Sequence, residues 1–195
     1  MLVLASGSPR RNQLLKMMGL TFRVRPARIP ERRLAGERPE AMAVRLARAK
    51  AHAGAINLYP GVRGKAWVLG ADTIVTIDGR VLGKPRDAPD ARRMLRMLSG
   101  RTHRVVTGVA IWSGSDGGIV SGRSITRVTF SELTRSAIES YVATGEPMDV
   151  AGAYAIQGLA GVFIPRISGS WSNVVGLPLD LVERLLSRSG YSRKD

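Results

Sequence analysis

Residues 4–15 read LASGSPRRNQLL, and this stretch predicts the strand, loop and helix with which the fold begins. The apolar residues 2–4, which lead into it, are typical of a short buried strand. Ser8 suits a helix N-cap, and Pro9 suits the first helical position, because the N–H that proline lacks would have no intrahelical partner there. The leucine pair that closes the stretch falls at helical spacing. We therefore expect a strand–loop–helix unit to start almost at the first residue.

Two arginines, Arg10 and Arg11, lie in the first turn of this predicted helix, where the positive end of the helix dipole disfavours cations. Natural sequences break a local rule of this kind mostly at functional sites. A loop of small residues, the first N–H groups of a helix and two guanidinium groups would together bind a polyanion, most simply a chain of phosphates. The other interpretation is a solvated pair of arginines on a very basic protein.

The whole stretch resembles the opening signature of the Maf family of nucleoside triphosphate pyrophosphatases. The pattern of that family is close to L-A-S-x-S-P-R-R-x-x-L-L, and this sequence meets every fixed position. A match of this length without a gap is specific. The resemblance implies that Ser6, Arg10 and Arg11 bind the substrate of a nucleotide-hydrolysing enzyme.

The composition is that of a globular protein, and it excludes several kinds of site. The chain has 195 residues, of which 44% are hydrophobic and 23% are charged, so it forms one large domain or two small ones. Because it has no cysteine and only two histidines, disulfides, thiolate catalysis, cysteine-ligated zinc and a histidine-rich metal site are excluded. A metal would have to be a hard cation bound by oxygens. We also expect no membrane-spanning segment and no signal peptide, and hence a cytoplasmic protein.

The net charge of +15 favours anionic partners. Residues 1–50 carry twelve Lys or Arg against three Glu, so much of the basic excess lies there. A non-catalytic nucleic-acid-binding protein that uses this basic N-terminal third is therefore the alternative hypothesis. Against nucleic acid as a partner, aromatic residues make up only 5% of the chain, and it has no long basic tail, zinc-finger pattern or RNP-type pattern.

Further along the chain, hydrophobic patterns predict interleaved strands and helices, which is typical of a mixed α/β sheet flanked by helices. We expect strands over 21–28, 67–77, 102–111, 119–130 and 163–167, helices over 39–56, 87–98, 134–142 and 179–186, and loops over 58–64 and 168–173. The Asp-Gly pair at 78–79 predicts a hairpin that brings Lys84 back alongside the preceding strand. We expect a single domain over 1–186, followed by a basic, disordered tail at 187–195.

Asp72 lies in the most apolar run of the chain, residues 67–77, which predicts a central strand. Aspartate is depleted in strands, and an ionised carboxylate is costly to bury. Asp72 is therefore either a hydrogen-bonded structural carboxylate or, as we favour, a catalytic or metal-binding one. The run resembles the G-A-D-T-[IV]-V motif of the Maf family, in which the aspartate is assigned as the general base.

Three more segments resemble motifs of the family and add candidate substrate-binding residues. VRLARAKA at 44–51 resembles R-L-A-x-x-K-A, which implies that Lys50 reaches the site, although the pattern alone fits a solvated helix lysine. GKP at 83–85 repeats the G-K-P motif and implies a similar role for Lys84. DVAGAYAIQG at 149–158 resembles D-K-A-G-x-Y-x-I-Q-G and points to Gln157, whose amide can both donate to and accept from a base.

Two positions depart from the family patterns. The family usually has two adjacent acids where this chain has Pro30 and Glu31, so Glu31 is the one match to the metal and phosphate site there. Without the resemblance, Glu31 would be interpreted as a surface countercharge in a basic neighbourhood. Val150 stands where lysine is usual, and its presence would weaken phosphate binding if that lysine touches phosphate.

Over residues 2–186, the resemblance implies the Maf/Ham1-like, inosine-triphosphatase-like fold, an elongated mixed sheet flanked by helices with a central cleft. It implies hydrolysis of a nucleoside triphosphate between the α and β phosphates, Mg²⁺ or Mn²⁺ as the cofactor, and a homodimer. Thr73 beside Asp72, together with Gln157, resembles the branch that acts on dTTP and UTP. A different base preference, for 7-methyl-GTP, is a further alternative. The implied roles are Asp72 as base, Glu31 and Asp72 as metal ligands, and Ser6, Arg10, Arg11, Lys50, Thr73, Lys84 and Gln157 as substrate-binding residues.

Overall fold

The computed structural model describes residues 1–58 and 60–192, over which strands and helices interleave. The strands are β1 (Leu2–Leu4), β2 (Phe22–Val24), β3 (Trp67–Ile77), β4 (Arg80–Leu82), β5 (Thr102–Ser113), β6 (Ile119–Thr129) and β7 (Arg166–Ser168). The helices are α1 (Pro9–Met17), α2 (Pro39–Ile56), α3 (Pro60–Arg63), α4 (Ala88–Leu98), α5 (Arg135–Ala143), α6 (Trp171–Val175) and α7 (Leu179–Arg188). Short 3₁₀ turns, Glu146–Asp149, Ala151–Ala153 and Leu159–Phe163, lie between α5 and β7.

The described strands form one mixed, open sheet in the order β2-β1-β3-β5-β6-β7, with β4 also paired to β3. β1 runs parallel to both β2 and β3. The tight turn at Asp78 and Gly79, both at positive φ, makes β4 antiparallel to β3, and β7 is antiparallel to β6. The predicted α/β fold with a mixed sheet flanked by helices is confirmed. None of the described helices has both the length and the apolar character needed to cross a membrane.

Helix α1 begins where the local sequence predicts. The Ser8 side chain accepts a hydrogen bond from the Arg11 N–H, and Pro9 occupies the first helical position. Leu14 and Leu15 are the buried residues of the helix. The strand–loop–helix unit at the start of the chain is therefore confirmed.

Helix α2 packs against the sheet at short range, and two glycines make this possible. A Cβ on Gly70 of β3 would lie 2.3 Å from the Ala47 carbonyl oxygen, and one on Gly108 of β5 would lie 2.2 Å from the Ala43 carbonyl oxygen. Any larger residue would have to push the helix away. The glycines therefore set the distance between α2 and the two strands, and with it the position of the side chains that the helix turns toward the sheet.

Contacts within the chain divide it into two compact units. The first comprises residues 1–72, 107–124 and the chain from Gly176 onward, and its core packs alanines of α2 against Val68 and Trp112. The second comprises residues 73–106 and 125–175, and its core packs α4 and α5 against the sheet around Phe130. Each unit thus has its own apolar core.

Several element boundaries differ from the predictions. β2 is shorter than the strand predicted over 21–28, because its partner β1 offers only three residues for pairing. The strand predicted over 163–167 is present as β7 but begins later, at Arg166, because a 3₁₀ turn runs to Phe163. The loops predicted over 58–64 and 168–173 contain α3 and the first residues of α6, while residue 59 lies outside the described residues. Short apolar runs do not distinguish strand from helix, so such errors are expected.

The C-terminal end is ordered further than the predicted tail at 187–195 implies. Helix α7 continues through Arg188, and the Trp67 indole N–H donates to the Ser189 carbonyl oxygen at 2.9 Å. The Tyr191 ring packs edge-on against Trp67 with 5.3 Å between the ring centroids. These contacts hold the segment through Tyr191 against the first unit, and residues 193–195 lie outside the described residues.

Candidate active site

Two charged side chains, Asp72 of β3 and Lys50 of α2, meet in the interior of the first unit. The strand and the helix approach each other closely at Gly70 and Ala47. Asp72 lies two residues after Gly70 on the strand, and Lys50 lies about one turn after Ala47 on the helix, so the two side chains meet. Lys50 Nζ lies 2.7 Å from Asp72 Oδ1, and both residues are more than nine-tenths buried. A buried charge needs a partner of this kind, because desolvation of an isolated ion is very costly.

Glu31 adds a second carboxylate to the same ammonium group. Its Oε1 lies 2.6 Å from Lys50 Nζ, while its side chain is 58% exposed. One ammonium nitrogen carries three donors, so it serves both carboxylates at once. The structure thus brings together Glu31 and Asp72, the two residues predicted to bind a metal, with the predicted phosphate ligand Lys50 between them.

Arg11 is anchored in the first unit by two hydrogen bonds. Its Nη1 donates to Ser6 Oγ at 3.2 Å, and its Nε donates to the Gly176 carbonyl oxygen at 2.9 Å. Ser6 Oγ also accepts from the Ser8 N–H at 3.3 Å, so the loop that caps α1 also positions the guanidinium. The carbonyl of Gly176 is a contact that the sequence did not point to, because it comes from the far end of the chain.

Burial and neighbouring charges shift the pKa values of the site residues in opposite directions. Burial raises the pKa of Asp72, and the charge and hydrogen bond of Lys50, together with the charge of Arg11, oppose that rise. The pKa of Arg11 is lowered, mainly by burial, and the negative charges of Asp72 and Glu31 partly oppose that fall. A carboxylate whose pKa is raised is a stronger base than an exposed one, and adjacent cations favour its ionised form. The arrangement can therefore accept a proton and bind phosphate oxygens.

The carboxylates of Glu31 and Asp72 fit a hard divalent cation that binds together with its substrate. Mg²⁺ commonly binds proteins through one or two carboxylates plus substrate phosphates. No group of three or more His, Cys, Asp or Glu side chains with metal-binding geometry occurs within residues 1–58 and 60–192. The two carboxylates thus supply part of a coordination shell, and phosphate oxygens and water would complete it.

The other predicted site residues, Thr73, Lys84 and Gln157, belong to the second unit. β4 pairs with β3 only as far as Leu82, so Lys84 lies beyond the hairpin ladder. The ammonium of Lys84 forms an ion pair with Asp149, and both side chains are largely exposed. Asp149 was not among the predicted site residues, although it opens the segment that resembles a family motif.

Gln157 lies exposed on a turn whose shape depends on Glu146. The Oε2 of Glu146 accepts from the Leu159 N–H at 3.0 Å, and its Oε1 accepts from the Tyr141 hydroxyl at 2.8 Å. A Cβ on Gly158 would lie 2.4 Å from Glu146 Oε2, so a larger residue at that position would have to displace the Glu146 carboxylate. Sequence reasoning missed Glu146, and the signal that could have suggested such a contact is the glycine that follows Gln157.

Residues 1–189 match the family described as Maf-like protein. A protein named dTTP/UTP pyrophosphatase from Koribacter versatilis (strain Ellin345) is 50% identical over 189 residues, which cover 97% of this chain and 94% of that protein. A protein of the same name from Anaeromyxobacter dehalogenans (strain 2CP-C) is 51% identical over 192 residues, with 97% and 94% covered. A third, from Geobacter metallireducens, is 50% identical over 185 residues, with 94% of each chain covered.

Proposed function

The chain belongs to the Maf family, and from this membership and the geometry around Asp72 we propose that it hydrolyses dTTP and UTP to the nucleoside monophosphate and pyrophosphate. The class of reaction, hydrolysis of a nucleoside triphosphate, rests on relatives that match nearly the whole chain and are named dTTP/UTP pyrophosphatase. The roles of individual residues rest on the geometry of the site. Because nucleoside triphosphates are held inside cells, the same proposal places the enzyme in the cytoplasm.

The observation that carries the proposal is the buried carboxylate of Asp72 with Lys50 and Arg11 beside it. In the proposed reaction a water oxygen forms a bond to the α-phosphorus while the bond from that phosphorus to the bridging oxygen breaks. Asp72 accepts the proton of the water, and pyrophosphate leaves with the electrons of the broken bond. General-base catalysis of this kind typically contributes about 10²–10⁴-fold in rate.

Cationic side chains stabilise the charge that develops on the leaving pyrophosphate. Lys50 is held in place by Asp72. Arg11 is held in place by Ser6 and by the Gly176 carbonyl. The two cations therefore need little reorganisation when the substrate binds. A divalent cation bound by Glu31 and Asp72 would neutralise further phosphate charge and help to orient the water. We further propose, from the family motifs, that Arg10, Lys84, Thr73 and Gln157 contact the nucleotide and that the enzyme is a homodimer.

The test is pyrophosphate release from a panel of nucleoside triphosphates in the presence of Mg²⁺ or Mn²⁺. We expect dTTP and UTP to have the highest kcat/KM, and the Asp72→Asn variant purified in the same way to be nearly inactive. A preference for 7-methyl-GTP would assign the chain to a different base specificity. Tight binding of nucleic acid without turnover of any triphosphate would contradict the proposal and favour a non-catalytic protein.

A further inference from the structure

The turn formed by residues 155–158 presents Gln157, which we have proposed contacts the nucleotide. The Gly158 N–H donates to the Ala155 carbonyl oxygen at 3.0 Å, which closes the turn and makes Gln157 one of its two central residues. The turn belongs to no strand or helix, and Gln157 is exposed. An exposed connection of this kind is mobile unless further hydrogen bonds hold its ends. The orientation of the Gln157 amide therefore depends on what anchors the turn.

Glu146 anchors the C-terminal end of the turn through backbone donors. Its Oε2 accepts from the Leu159 N–H at 3.0 Å, and its Oε1 accepts from the Ala160 N–H at 3.4 Å. The carboxylate also lies directly against the turn, because a Cβ on Gly158 would come within 2.4 Å of Oε2. Hydrogen bonds to a carboxylate are about twice as strong as those between neutral groups. The chain that leaves the turn is thus held by a strong acceptor.

Tyr141 anchors the N-terminal end of the turn and is bonded to Glu146. The Ala155 N–H donates to the Tyr141 hydroxyl at 3.3 Å, and the hydroxyl donates to Glu146 Oε1 at 2.8 Å. Burial and the hydrogen bond to Glu146 raise the pKa of Tyr141, so the hydroxyl keeps the proton that it donates. The tyrosine is 3% exposed, and its ring packs edge-on against Phe163 with 5.4 Å between the centroids. One hydrogen-bonded pair therefore fastens both ends of the turn to the core.

Glu146 and Tyr141 are held relative to each other by the end of α5. The chain turns at Gly145, whose φ of 75° is in the left-handed region. The Thr144 hydroxyl donates to the Tyr141 carbonyl oxygen at 2.7 Å and accepts from the Glu146 N–H at 3.2 Å. The two side chains that grip the turn thus come from one short, internally bonded segment.

We propose that Glu146 and Tyr141 are positioning residues for base selection, which act by fixing the turn that presents Gln157. A hydrogen bond weakens steeply when its donor and acceptor are misaligned, so an amide that distinguishes one base from another has to be held in one orientation. Anchors at both ends of the turn provide this. The inference rests on the proposed function, in which Gln157 contacts the nucleotide of dTTP or UTP.

The test is a selectivity ratio, kcat/KM for dTTP divided by kcat/KM for dATP, measured by pyrophosphate release in Glu146→Gln and Tyr141→Phe. Glu146→Gln leaves one acceptor oxygen for three donors, and Tyr141→Phe removes the acceptor of the Ala155 N–H. We expect each variant to lower the ratio by about threefold to tenfold, the equivalent of one lost hydrogen bond. Because unfolded enzyme lowers both kcat/KM values equally, a purely structural defect leaves the ratio unchanged.

Glu132→Gln and Tyr154→Phe are the matched controls. Glu132 is an exposed glutamate of the same unit, so its replacement removes the same charge away from the turn. The Tyr154 hydroxyl is buried like that of Tyr141, but it contacts His103 Nε2 at 2.8 Å instead of the turn. Both controls should keep the selectivity ratio of the parent.

Gly158→Ala tests the position of the carboxylate without altering Glu146 itself. The φ of Gly158 is −108°, which any residue adopts, so the added methyl group acts through its clash with Glu146 and not through the backbone. The carboxylate would have to move away from the turn. This variant should therefore lower the selectivity ratio in the same direction as Glu146→Gln.

A double variant tests whether Glu146 acts through Gln157. Gln157→Ala removes the amide that the turn presents, so in that background Glu146→Gln should leave the selectivity ratio unchanged. Two residues that act through one contact are not additive, whereas independent ones are. The comparison needs the same steady-state kinetics on dTTP and dATP for the parent, the two single variants and the double variant.

The inference is overturned if Glu146→Gln or Tyr141→Phe keeps the ratio of its control, or if Glu146→Gln still lowers the ratio in the Gln157→Ala background. In these cases the proposed function stands, because the parent still prefers dTTP. A parent that turns over no triphosphate, or that hydrolyses dTTP and dATP equally well, would contradict the proposed function and this inference with it.

Discussion

The two units bury ionisable side chains with different kinds of partner. In the first, Asp72 and Lys50 are 7% and 8% exposed and form an ion pair with 2.7 Å between oxygen and nitrogen. In the second, His103 and Tyr154 are 2% and 3% exposed, and the histidine Nε2 lies 2.8 Å from the tyrosine hydroxyl. Burial lowers the pKa of His103 to about 4 and raises the pKa of Tyr154 far above its ordinary value. The first pair joins a carboxylate to an ammonium group, whereas burial favours the neutral form of both members of the second pair.

The difference between the two buried pairs distinguishes the candidate active site of the first unit from the structural core of the second. A neutral hydrogen-bonded pair costs less to bury than two ions, and the His103 and Tyr154 rings also pack against Phe130 with centroids 5.4 and 5.0 Å away. A buried ion pair is weak evidence for stability, because desolvation of the two ions offsets most of their attraction. The charged pair of the first unit is therefore explained by chemistry and the neutral pair of the second by packing.

The largest expected effect is that of Asp72→Asn on turnover. Loss of the general base should lower kcat for dTTP by about 10²–10⁴-fold. The Tm should stay the same or rise. Lys50 keeps Glu31 as a partner in the variant, and because the pKa of Asp72 is raised on folding, its ionised form costs stability at pH values above the ordinary carboxyl range. The measurements are pyrophosphate release and thermal unfolding at pH 7.

Asp90 is the matched control for Asp72, because it is a carboxylate that is also buried but serves the fold. It accepts hydrogen bonds from Arg93 Nε at 2.9 Å and from the Arg86 N–H at 3.2 Å, and the Arg93 hydrogen bond is the main cause that lowers its pKa. Asp90→Asn should lower the Tm at pH 7 and keep kcat. The stability that the ionised Asp90 carboxylate contributes should be lost in the parent as the pH falls and acid protonates it. If Asp72→Asn instead loses Tm and retains kcat within tenfold, the distinction between site and core is wrong.

The second effect concerns His103 and the pH dependence of stability. The folded state keeps His103 neutral down to about pH 4, whereas the unfolded chain takes up a proton near pH 6.5, so stability falls as the pH drops through that range. The full loss attributable to this group is about 3 kcal/mol. His103→Gln should flatten the pH dependence of the free energy of unfolding between pH 6.5 and 4, as measured by urea denaturation.

The chain provides a control for this measurement, because its other histidine, His52, is exposed on α2. His52→Gln should keep the slope of the parent. An unchanged slope in His103→Gln would show that the second unit does not hold a histidine in its neutral form. The buried His103–Tyr154 pair would then no longer contrast with the buried ion pair of the first unit.

The third effect is that of Arg11 on substrate binding and turnover. Its guanidinium is held by Ser6 and Gly176, so Arg11→Ala should raise KM and lower kcat together, with kcat/KM reduced by about 10–100-fold for the loss of contacts to phosphate. Arg23→Ala, an exposed arginine of β2, removes the same charge and should change kcat/KM little. Equal losses in both variants would mean that long-range steering by the net charge, not a contact at the site, accounts for the effect.

The smallest expected effect is a change of base selectivity at Gln157. Gln157→Glu replaces an amide donor with a carboxylate and should lower kcat/KM for dTTP and UTP, relative to purine triphosphates, by a factor equivalent to roughly 1–3 kcal/mol. Gln13→Glu adds the same charge on α1 and should act on all triphosphates alike. Steady-state kinetics on four triphosphates distinguishes the two, and a uniform loss in Gln157→Glu would show that this residue does not read the base.

Local signals in the sequence were sufficient for much of the fold. The cap at Ser8, the Asp-Gly turn at 78–79 and the cap at Asp87 each act within a few residues, and the elements that they begin or join lie where predicted. The apolar run at 67–77 forms a strand with the predicted bounds, as its β-branched content and the Asp-Gly turn that follows it indicate. Over 163–173, where the apolar runs are short, the predicted bounds are displaced: β7 begins only at Arg166, and α6 begins inside the predicted loop.

The sequence by itself determined the family, the mixed α/β class and the identity of Asp72 as an unusual strand residue, because each of these depends on residue type and order along the chain. Only the tertiary structure decided that Lys50 joins Asp72 to Glu31, that Gly176 holds Arg11, and that Glu146 shapes the turn at Gln157. These contacts join residues far apart in sequence, and they depend on how closely the backbones approach. For α2 and β3 that approach is set by the absence of a side chain at Gly70, which no spacing rule in the sequence expresses.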